Sequence, residues 1–495
     1  MNRPMCAERI DGETERWGIF ELRLSGPDEG NPFQDVQVSA RFQYKNVEIE
    51  TDGFYDGDGT YKIRFMPDRI GEWRYETRSN RSELDGRRGQ FRCVAPSEGN
   101  RGPVRVKGDY RFAYEDGTPY MPFGTTCYHW THAGDERLEE MTLRSLEASP
   151  FNKVRMCILP TRAMSPPAFA FAGTCPEDAD TTRFNPAFFA HLERRIQDLM
   201  NLGVEADLVL FHPYDKGHWG FDDLGRETDR FYLRYVIARL ASFRNVWWSM
   251  ANEYDFMKEK RLEDWDRLIR LAAEEDPYGR LLSIHNGTTM YVPESVVMYD
   301  HAKPQITHCS IQHWDVTMVS FWLREYGKPV IVDECGYEGN LPQRWGNLTA
   351  EELAHRCWES FARGGYAAHG ETYVHPQDEI WWAKGGSLYG TSQEYIRFLR
   401  TVAEDAPPGL RPIPVRDVPV IGVEGSYYLH YYGQHRPAYR QVELPDGTDF
   451  TAEWIDTRGM TFVRLEGTFR GSCRIPLPGK PYHALRLRAK MAAAT

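Results

Sequence analysis

Two glutamates sit in matching settings. The run Val246-Trp247-Trp248-Ser249-Met250-Ala251 passes from apolar residues into Asn252-Glu253, and Pro329-Val330-Ile331-Val332 passes into Asp333-Glu334. Carboxyl groups placed where buried strands end can face one another across a shared mouth. Two that flank a sugar ring can cleave a glycosidic bond, one protonating the leaving oxygen while the other attacks or activates water. The competing reading, that each Glu caps the helix following its strand, requires two independent caps at corresponding places.

Other polar residues follow apolar runs in the same way. Asn252 is placed to hydrogen-bond a sugar 2-hydroxyl. Arg155 ends a second run and could hold Glu334 ionised through a charge-assisted hydrogen bond. His212 and Asp215, His285, Gln312 and His313, and His369 and Glu371 are candidates for recognising ring hydroxyls, with a satisfied buried histidine as the rival reading. Trp130, Trp314, Trp381 and Trp382 could stack on a sugar face, although core packing explains each of them equally well. His129-x-x-His132 with His212 and Asp215 makes a metal set on paper, at a spacing that is unspecific.

These residues need a scaffold that brings strand ends together. Buried-type runs fall at Tyr120–Thr126, Lys153–Ile158, Glu205–Phe211, Val246–Met250, Leu281–His285, Ile306–Ile311, Pro329–Asp333 and Gly365–Thr372. Between them lie amphipathic stretches such as Ala187–Leu202, Thr228–Phe243, Arg261–Glu275, Val319–Tyr326 and Ala350–Arg363. Eight strands alternating with helices predict a central (β/α)8 TIM barrel whose strand ends face the active-site mouth. Glu253 then ends strand four and Glu334 strand seven, three βα units apart. No G-x-G-x-x-G follows the first strand, so no dinucleotide is expected, and the reading calls for no cofactor and no metal.

Period-two alternation from Trp17 to Cys93 predicts an N-terminal β-sandwich, and alternation returns after Pro407-Pro408-Gly409 as a small C-terminal β-domain. With the linker PSEGNRGP, the boundaries are 1–98, 99–408 and 409–495. The 495 residues accommodate all three units.

The formal charge is −12, and the basic residues form no run that could follow a phosphate backbone, which excludes nucleic acid as an expected partner. No stretch reaches the roughly 18 apolar residues of a membrane helix. The opening MNRPMCAERIDGETE has no apolar core, which leads to a cytoplasmic expectation. Nine dispersed cysteines without a C-x-x-C pair read as reduced thiols. A homo-oligomer is left open.

Several motifs add a resemblance: Phe123-Gly124-Thr125-Thr126-Cys127-Tyr128, Phe151-Asn152-Lys153-Val154-Arg155-Met156, Phe211-His212-Pro213-Tyr214-Asp215, Ser283-Ile284-His285-Asn286, His369-Gly370-Glu371-Thr372-Tyr373 and Trp381-Trp382-Ala383-Lys384-Gly385-Gly386. Across nearly its whole length the chain resembles bacterial glycoside hydrolases of clan A type that join a DUF5060 sandwich, a DUF4038-type barrel and a DUF5605 domain. The resemblance implies a retaining mechanism with Glu253 as acid/base and Glu334 as nucleophile. One departure is Leu159-Pro160-Thr161-Arg162-Ala163-Met164, where a Pro-Lys-His-Tyr type of loop is expected, so no contact is carried over from it. An apiosidase within the family makes furanosides the first substrates to test.

The expectation is therefore a retaining, exo-acting glycoside hydrolase for short oligosaccharides or glycosides. It would have a closed pocket one sugar deep, walled by Leu159–Gly173 and His369–Trp382. The alternatives are a non-catalytic carbohydrate-binding protein on the same fold and a metal-dependent hydrolase.

Overall fold

The computed structural model describes residues 10–490, except 109, 162, 163, 165, 167, 174–177, 288, 289, 378, 415 and 416. Cys6, Cys175, Arg162 and Ala163 lie outside the described residues.

The centre is a nearly closed barrel sheet. Strands β1 (Gly124–Thr126), β2 (Lys153–Cys157), β3 (Glu205–Phe211), β4 (Val246–Ala251) and β5 (Leu282–Ser283) pair in parallel in that order. Strands β6 (Cys309–Gln312), β7 (Val330–Glu334) and β8 (Tyr366–Ala367) form a second parallel sheet. Single parallel bridges span the two seams, His285 to Ser310 and Thr125 to His369. Every residue of β2, β3, β4 and β7 is buried. This explains their continuous apolar runs: a parallel sheet covered on both faces leaves no solvent side for alternation.

Helices cover the outer face. They are α1 (Glu136–Ala148), α2 (Pro186–Asn201), α3 (Arg226–Leu240), α4 (Leu262–Glu275), α5 (Val319–Tyr326), α6 (Ala350–Ala362) and α7 (Ser392–Glu404). In α4 the buried residues Trp265, Leu268, Ile269 and Ala272 follow helical spacing along one stripe. Asp135 starts α1 by accepting from the backbone N–H groups of Arg137 and Leu138, and Thr349 starts α6 by accepting from Glu352. One connection breaks the alternation. Between β5 and β6 the described residues hold only the short 3₁₀ turn Pro293–Ser295, in a stretch with two prolines and no helical apolar spacing.

A seven-stranded sheet precedes this unit, in the order Ile10–Glu15, Arg88–Val94, Gly71–Ser79, Val38–Tyr44, Val47–Tyr55, Thr60–Phe65, Phe20–Ser25. Arg64 joins it to α2, donating to both oxygens of Glu193 at 2.7 and 2.9 Å, and Arg239 of α3 bridges Glu193 and Asp56, each at 2.6 Å. Val104, Phe112 and Tyr120, on a small antiparallel sheet, pack with Trp247, Leu281, Ile331 and Tyr366 at the amino ends of the barrel strands. The C-terminal part forms a six-stranded sheet that includes Tyr427–Tyr431, His483–Ala489 and Phe450–Asp456, with Tyr431 stacked on Trp358 of α6.

Glu371 has a structural position. Short strands Glu338–Gly339 and Glu371–Thr372 pair in parallel and set their carboxylates beneath the amino end of α7. Glu371 accepts from the N–H groups of Tyr389 (2.6 Å) and Gly390 (2.8 Å), and Glu338 from Thr391 (3.0 Å) and Ser392 (2.9 Å). The N–H groups of Thr391 and Ser392 are among those a helix start leaves without intrahelical partners, while Tyr389 and Gly390 belong to the loop that leads into the helix. Burial, with the Glu338 charge adding to it against the two N–H donors, pushes the Glu371 carboxyl up to about 7.

Glu371→Ala should therefore cost about 1–3 kcal/mol by stranding buried donors. It should lower Tm while leaving any activity of the folded protein unchanged. In the wild type the unfolded Glu371 releases its proton near pH 4.5, whereas the folded one holds it to about pH 7. Its contribution to stability should then decline as pH rises through that window. Denaturation of Glu371→Gln, followed by circular dichroism at several pH values, should show a correspondingly flatter profile.

Candidate active site

A cavity of about 1160 Å³ opens at the carboxyl ends of the barrel strands, lined among others by Tyr128, His129, Tyr214, Glu253, Gln312, Glu334, Tyr337, Trp345 and Trp382. It exceeds the roughly 300–1,000 Å³ typical of sites for drug-sized ligands. The cavity is larger than the expected pocket one sugar deep. Thr161 and Met164 of the Leu159–Gly173 loop line it, as do Ile380 and Trp382 of His369–Trp382.

Glu253 follows β4 with φ 47°, a left-handed conformation uncommon for a side chain of this size. Its Oε2 accepts from the Tyr214 hydroxyl at 2.8 Å and its Oε1 from Gln312 Nε2 at 3.1 Å. Burial, then the Glu334 charge, raise its carboxyl to about 7 against those two hydrogen bonds. Glu334, the last residue of β7, accepts from the Tyr128 hydroxyl and has His285 Nε2 at 3.5 Å. Burial pushes its carboxyl upward too, but His285, Tyr128 and the Arg155 charge outweigh this and hold it below the ordinary value. The cavity thus contains two acids displaced in opposite directions.

Asn252 joins them. Its Oδ1 accepts from Arg155 Nη2 at 2.7 Å and lies 3.1 Å from the Tyr128 hydroxyl, while its Nδ2 donates to the Tyr214 hydroxyl. Both polar ends are tied and the side chain is fully buried, so Asn252 positions the two tyrosines and makes no contact with the cavity. Arg155 makes no hydrogen bond to Glu334 among the described residues, contrary to expectation. Its Nη1 faces Ser310 (3.3 Å), Asp207 (3.5 Å) and Asp333 (3.8 Å). Lys153 completes this buried group through Asp207 (2.6 Å) and Asp333 (2.9 Å). His285 Nδ1 lies 3.0 Å from Ser310 Oγ, which donates to Asp333 at 2.6 Å.

The remaining candidates separate by burial. Gln312 and Trp382 line the cavity, and Trp314 is 39% exposed beside Tyr291, which lines it. His313 lies outside, its Nδ1 accepting from Asp315 N–H at 3.0 Å. His212 donates from Nε2 to Leu159 O (2.8 Å) and accepts at Nδ1 from Tyr214 N–H (3.2 Å), which leaves no atom for a sugar. Asp215 is spent on the N–H groups of Trp219 and Phe221. His369 stacks on Phe151 with Nδ1 on Thr125, and Glu371 accepts from the loop leading into α7. Trp130 and Trp381 are core residues whose indole N–H groups donate to Met156 Sδ and Thr125 Oγ1.

The proposed metal quartet is committed in the same way, since the donor atoms of His212 and Asp215 face backbone N–H and carbonyl groups. Among the described residues, one other trio could gather around an ion: Glu338, His369 and Glu371. Its four carboxylate oxygens already accept from the backbone N–H groups of residues 389–392.

Tyr128, Tyr214 and Tyr337 were not among the expected site residues. All three had a signal, since Tyr128, Tyr214 and Tyr337 each lie two or three residues beyond the end of a barrel strand. Lys153, Arg155 and Asp207 had another: charged residues at alternate positions in apolar strands, paired in register as Arg155 with Asp207.

A barrel-like sheet with two acids at its mouth defines a glycoside hydrolase-like protein, and comparison with known proteins agrees. Residues 107–393 match the model of the apiosidase-like catalytic domain, so the chain belongs to that family. Residues 13–80 match DUF5060 and 416–488 match DUF5605, both domains of unknown function, while the region compared above with DUF4038 is the one matched as apiosidase-like. A solved structure from Bacteroides vulgatus ATCC 8482, described provisionally as a glycoside hydrolase, is 39% identical over 97% of this chain and 100% of its own, with a TM-score of 0.90. A glycoside hydrolase of family 5 from the same strain shares the fold at 14% identity, with a TM-score of 0.61 over 79% of this chain and 94% of its own. No curated protein matches. No helix among the described residues is long and apolar enough to cross a membrane.

Two variants test the geometry. A Cβ on Gly287 would stand 2.7 Å from Glu253 Cβ and 2.9 Å from the Phe256 ring. The preceding Asn286 is clamped to the Gln312 backbone at 3.0 and 3.1 Å, so this segment cannot retreat. Gly287→Ala should displace Glu253 and lower kcat/KM about 100-fold, and the overpacking should cost about 1–3 kcal/mol, read as a lower Tm. Tyr214→Phe removes a hydrogen bond that favours the Glu253 carboxylate, so the basic limb of kcat/KM should move to higher pH.

Proposed function

We propose that this protein is a retaining glycoside hydrolase, in which a (β/α)8 barrel presents Glu253 as general acid/base and Glu334 as nucleophile. The observation that carries the reading is the opposite displacement of the two carboxyl groups in one cavity, Glu253 to about 7 and Glu334 below its ordinary value. A binding protein needs no such division, whereas double displacement needs one acid protonated and the other charged.

In this reading Glu334 attacks the anomeric carbon while Glu253 gives its proton to the departing oxygen. The bond to the leaving group breaks as the bond to Glu334 forms. Esterification removes the Glu334 charge, the second cause of the raised Glu253 value. Glu253, deprotonated by the first step, then takes a proton from water as the water oxygen bonds the anomeric carbon and the ester bond to Glu334 breaks. This restores the Glu334 carboxylate and a protonated Glu253. Tyr128 and Tyr214 hold the carboxylates, with Asn252 between them. Exo-action on short oligosaccharides or glycosides fits a cavity bordered by residues 343–345, Ile380 and 382–384. The family makes pentofuranosides the first aryl glycosides to screen. The units 1–98, 99–408 and 409–495 are read as sandwich, catalytic barrel and accessory β-domain.

The first-formed sugar, followed by NMR during hydrolysis of an aryl glycoside, should keep the substrate's anomeric configuration; inversion would remove double displacement. Glu334→Ala should lose turnover, and added azide should yield a glycosyl azide of opposite configuration. Full activity in that variant would end the nucleophile assignment.

A further inference from the structure

One histidine in the cavity has an unpartnered nitrogen whose protonation can be deduced. His132 Nε2 lies 3.1 Å from the carbonyl oxygen of Ile158, which can only accept, so that nitrogen carries a proton. His132 Nδ1 lies 3.3 Å from His129 Nδ1. Two bare nitrogens would repel, and an added proton would charge the pair. Burial first, then the neighbouring histidines, push His129 far below its ordinary value and His132 down to about 3. The pair is therefore neutral. With His132 protonated on Nε2, the proton between the rings belongs to His129 Nδ1, and His129 Nε2 is left with a lone pair.

That lone pair has no hydrogen-bond partner among the described residues, and His129 lines the cavity that holds Glu253 and Glu334. The neighbouring His212 cannot serve it, because both of its nitrogens face backbone groups. Stacking fixes the rings, His132 lying 5.5 Å from His129 and 5.9 Å from Phe188. The backbone holds them as well: His129 N–H donates to Ala383 O at 2.8 Å and His132 N–H to His129 O at 2.9 Å.

We propose that His129 Nε2 is a fixed, neutral hydrogen-bond acceptor for one free hydroxyl of the glycoside, held in that tautomer by the relay through His132 to the Ile158 carbonyl. The proposal deepens the hydrolase reading and rests on it for the ligand. It gives the site a preference by sign. A hydroxyl satisfies the lone pair with its proton. An ether, a fluorine or a carboxylate at the same position offers only acceptors and meets it lone pair to lone pair.

The test has two arms, the first independent of turnover. In protein labelled with ¹⁵N-histidine, His129 should show a protonated Nδ1 and a bare Nε2, His132 the reverse, with neither titrating between pH 5 and 9. His132→Phe should release His129 into a mixture of tautomers. A protonated His129 Nε2 or a titration in that range would overturn the relay. In the second arm, aryl glycosides and their monodeoxy and monofluoro analogues are compared by kcat/KM, and by calorimetric affinity if none is cleaved. At one ring position the wild type should favour the hydroxyl at least about tenfold over both analogues, and His129→Phe should lose that preference. Unchanged discrimination in His129→Phe would overturn the contact. If no glycoside is cleaved, the hydrolase reading fails, while the ¹⁵N pattern and the affinities still decide for or against His129.

Discussion

Two carboxyl groups facing one desolvated cavity repel when both are charged, so the surroundings must decide which of them keeps its proton. Here the decision is built from neighbours. Glu334 has the Tyr128 hydroxyl, His285 and the nearby Arg155 charge, all favouring ionisation. Glu253 has the neutral donors Tyr214 and Gln312, too weak to offset burial and the charge of its partner. The asymmetry resides less in the acids than in what stands behind each of them.

Behind them is a buried charge group, and its arrangement follows from the barrel. Lys153 and Arg155 occupy alternate positions of β2 and point to the same interior, where Asp207 from β3 and Asp333 from β7 meet them. Two cations and two anions balance, which buried charges require. Arg155 uses its second nitrogen to reach up to Asn252, so charge balance in the barrel interior is coupled to the aim of both tyrosines. The strained backbone at Glu253 is tolerated in this setting because Gly287 leaves space against it and Asn286 is pinned to Gln312. Strain of this kind persists only where surrounding contacts over-determine a residue.

The same polar chemistry also serves structure. Glu338 and Glu371 open neighbouring short strands just beyond the ends of β7 and β8, yet they face α7 and the loop leading into it and accept backbone N–H groups there. His212 and Asp215 follow β3 at the level of the site and are absorbed by backbone groups, His212 by the Leu159 carbonyl of the loop after β2 and Asp215 by its own loop. Position after a barrel strand is thus a condition for acting on substrate and does not guarantee it.

The sequence by itself determined the succession of strands, five of the helices between them, and the placing of Glu253 and Glu334 at the ends of such strands. Local pattern is enough for this, because apolar runs and helical stripes are set by which faces must be buried. It could not separate Glu334 from Glu371, or Trp382 from Trp381, since each pair follows the same kind of run. Those outcomes depend on where loops carry backbone N–H and carbonyl groups, which must find partners wherever they are buried. Only the tertiary structure brings residues 389–392 over Glu338 and Glu371, Leu159 onto His212, and Ile158 onto His132. In doing so it decides which polar side chains are consumed by the fold and which remain free to meet a sugar.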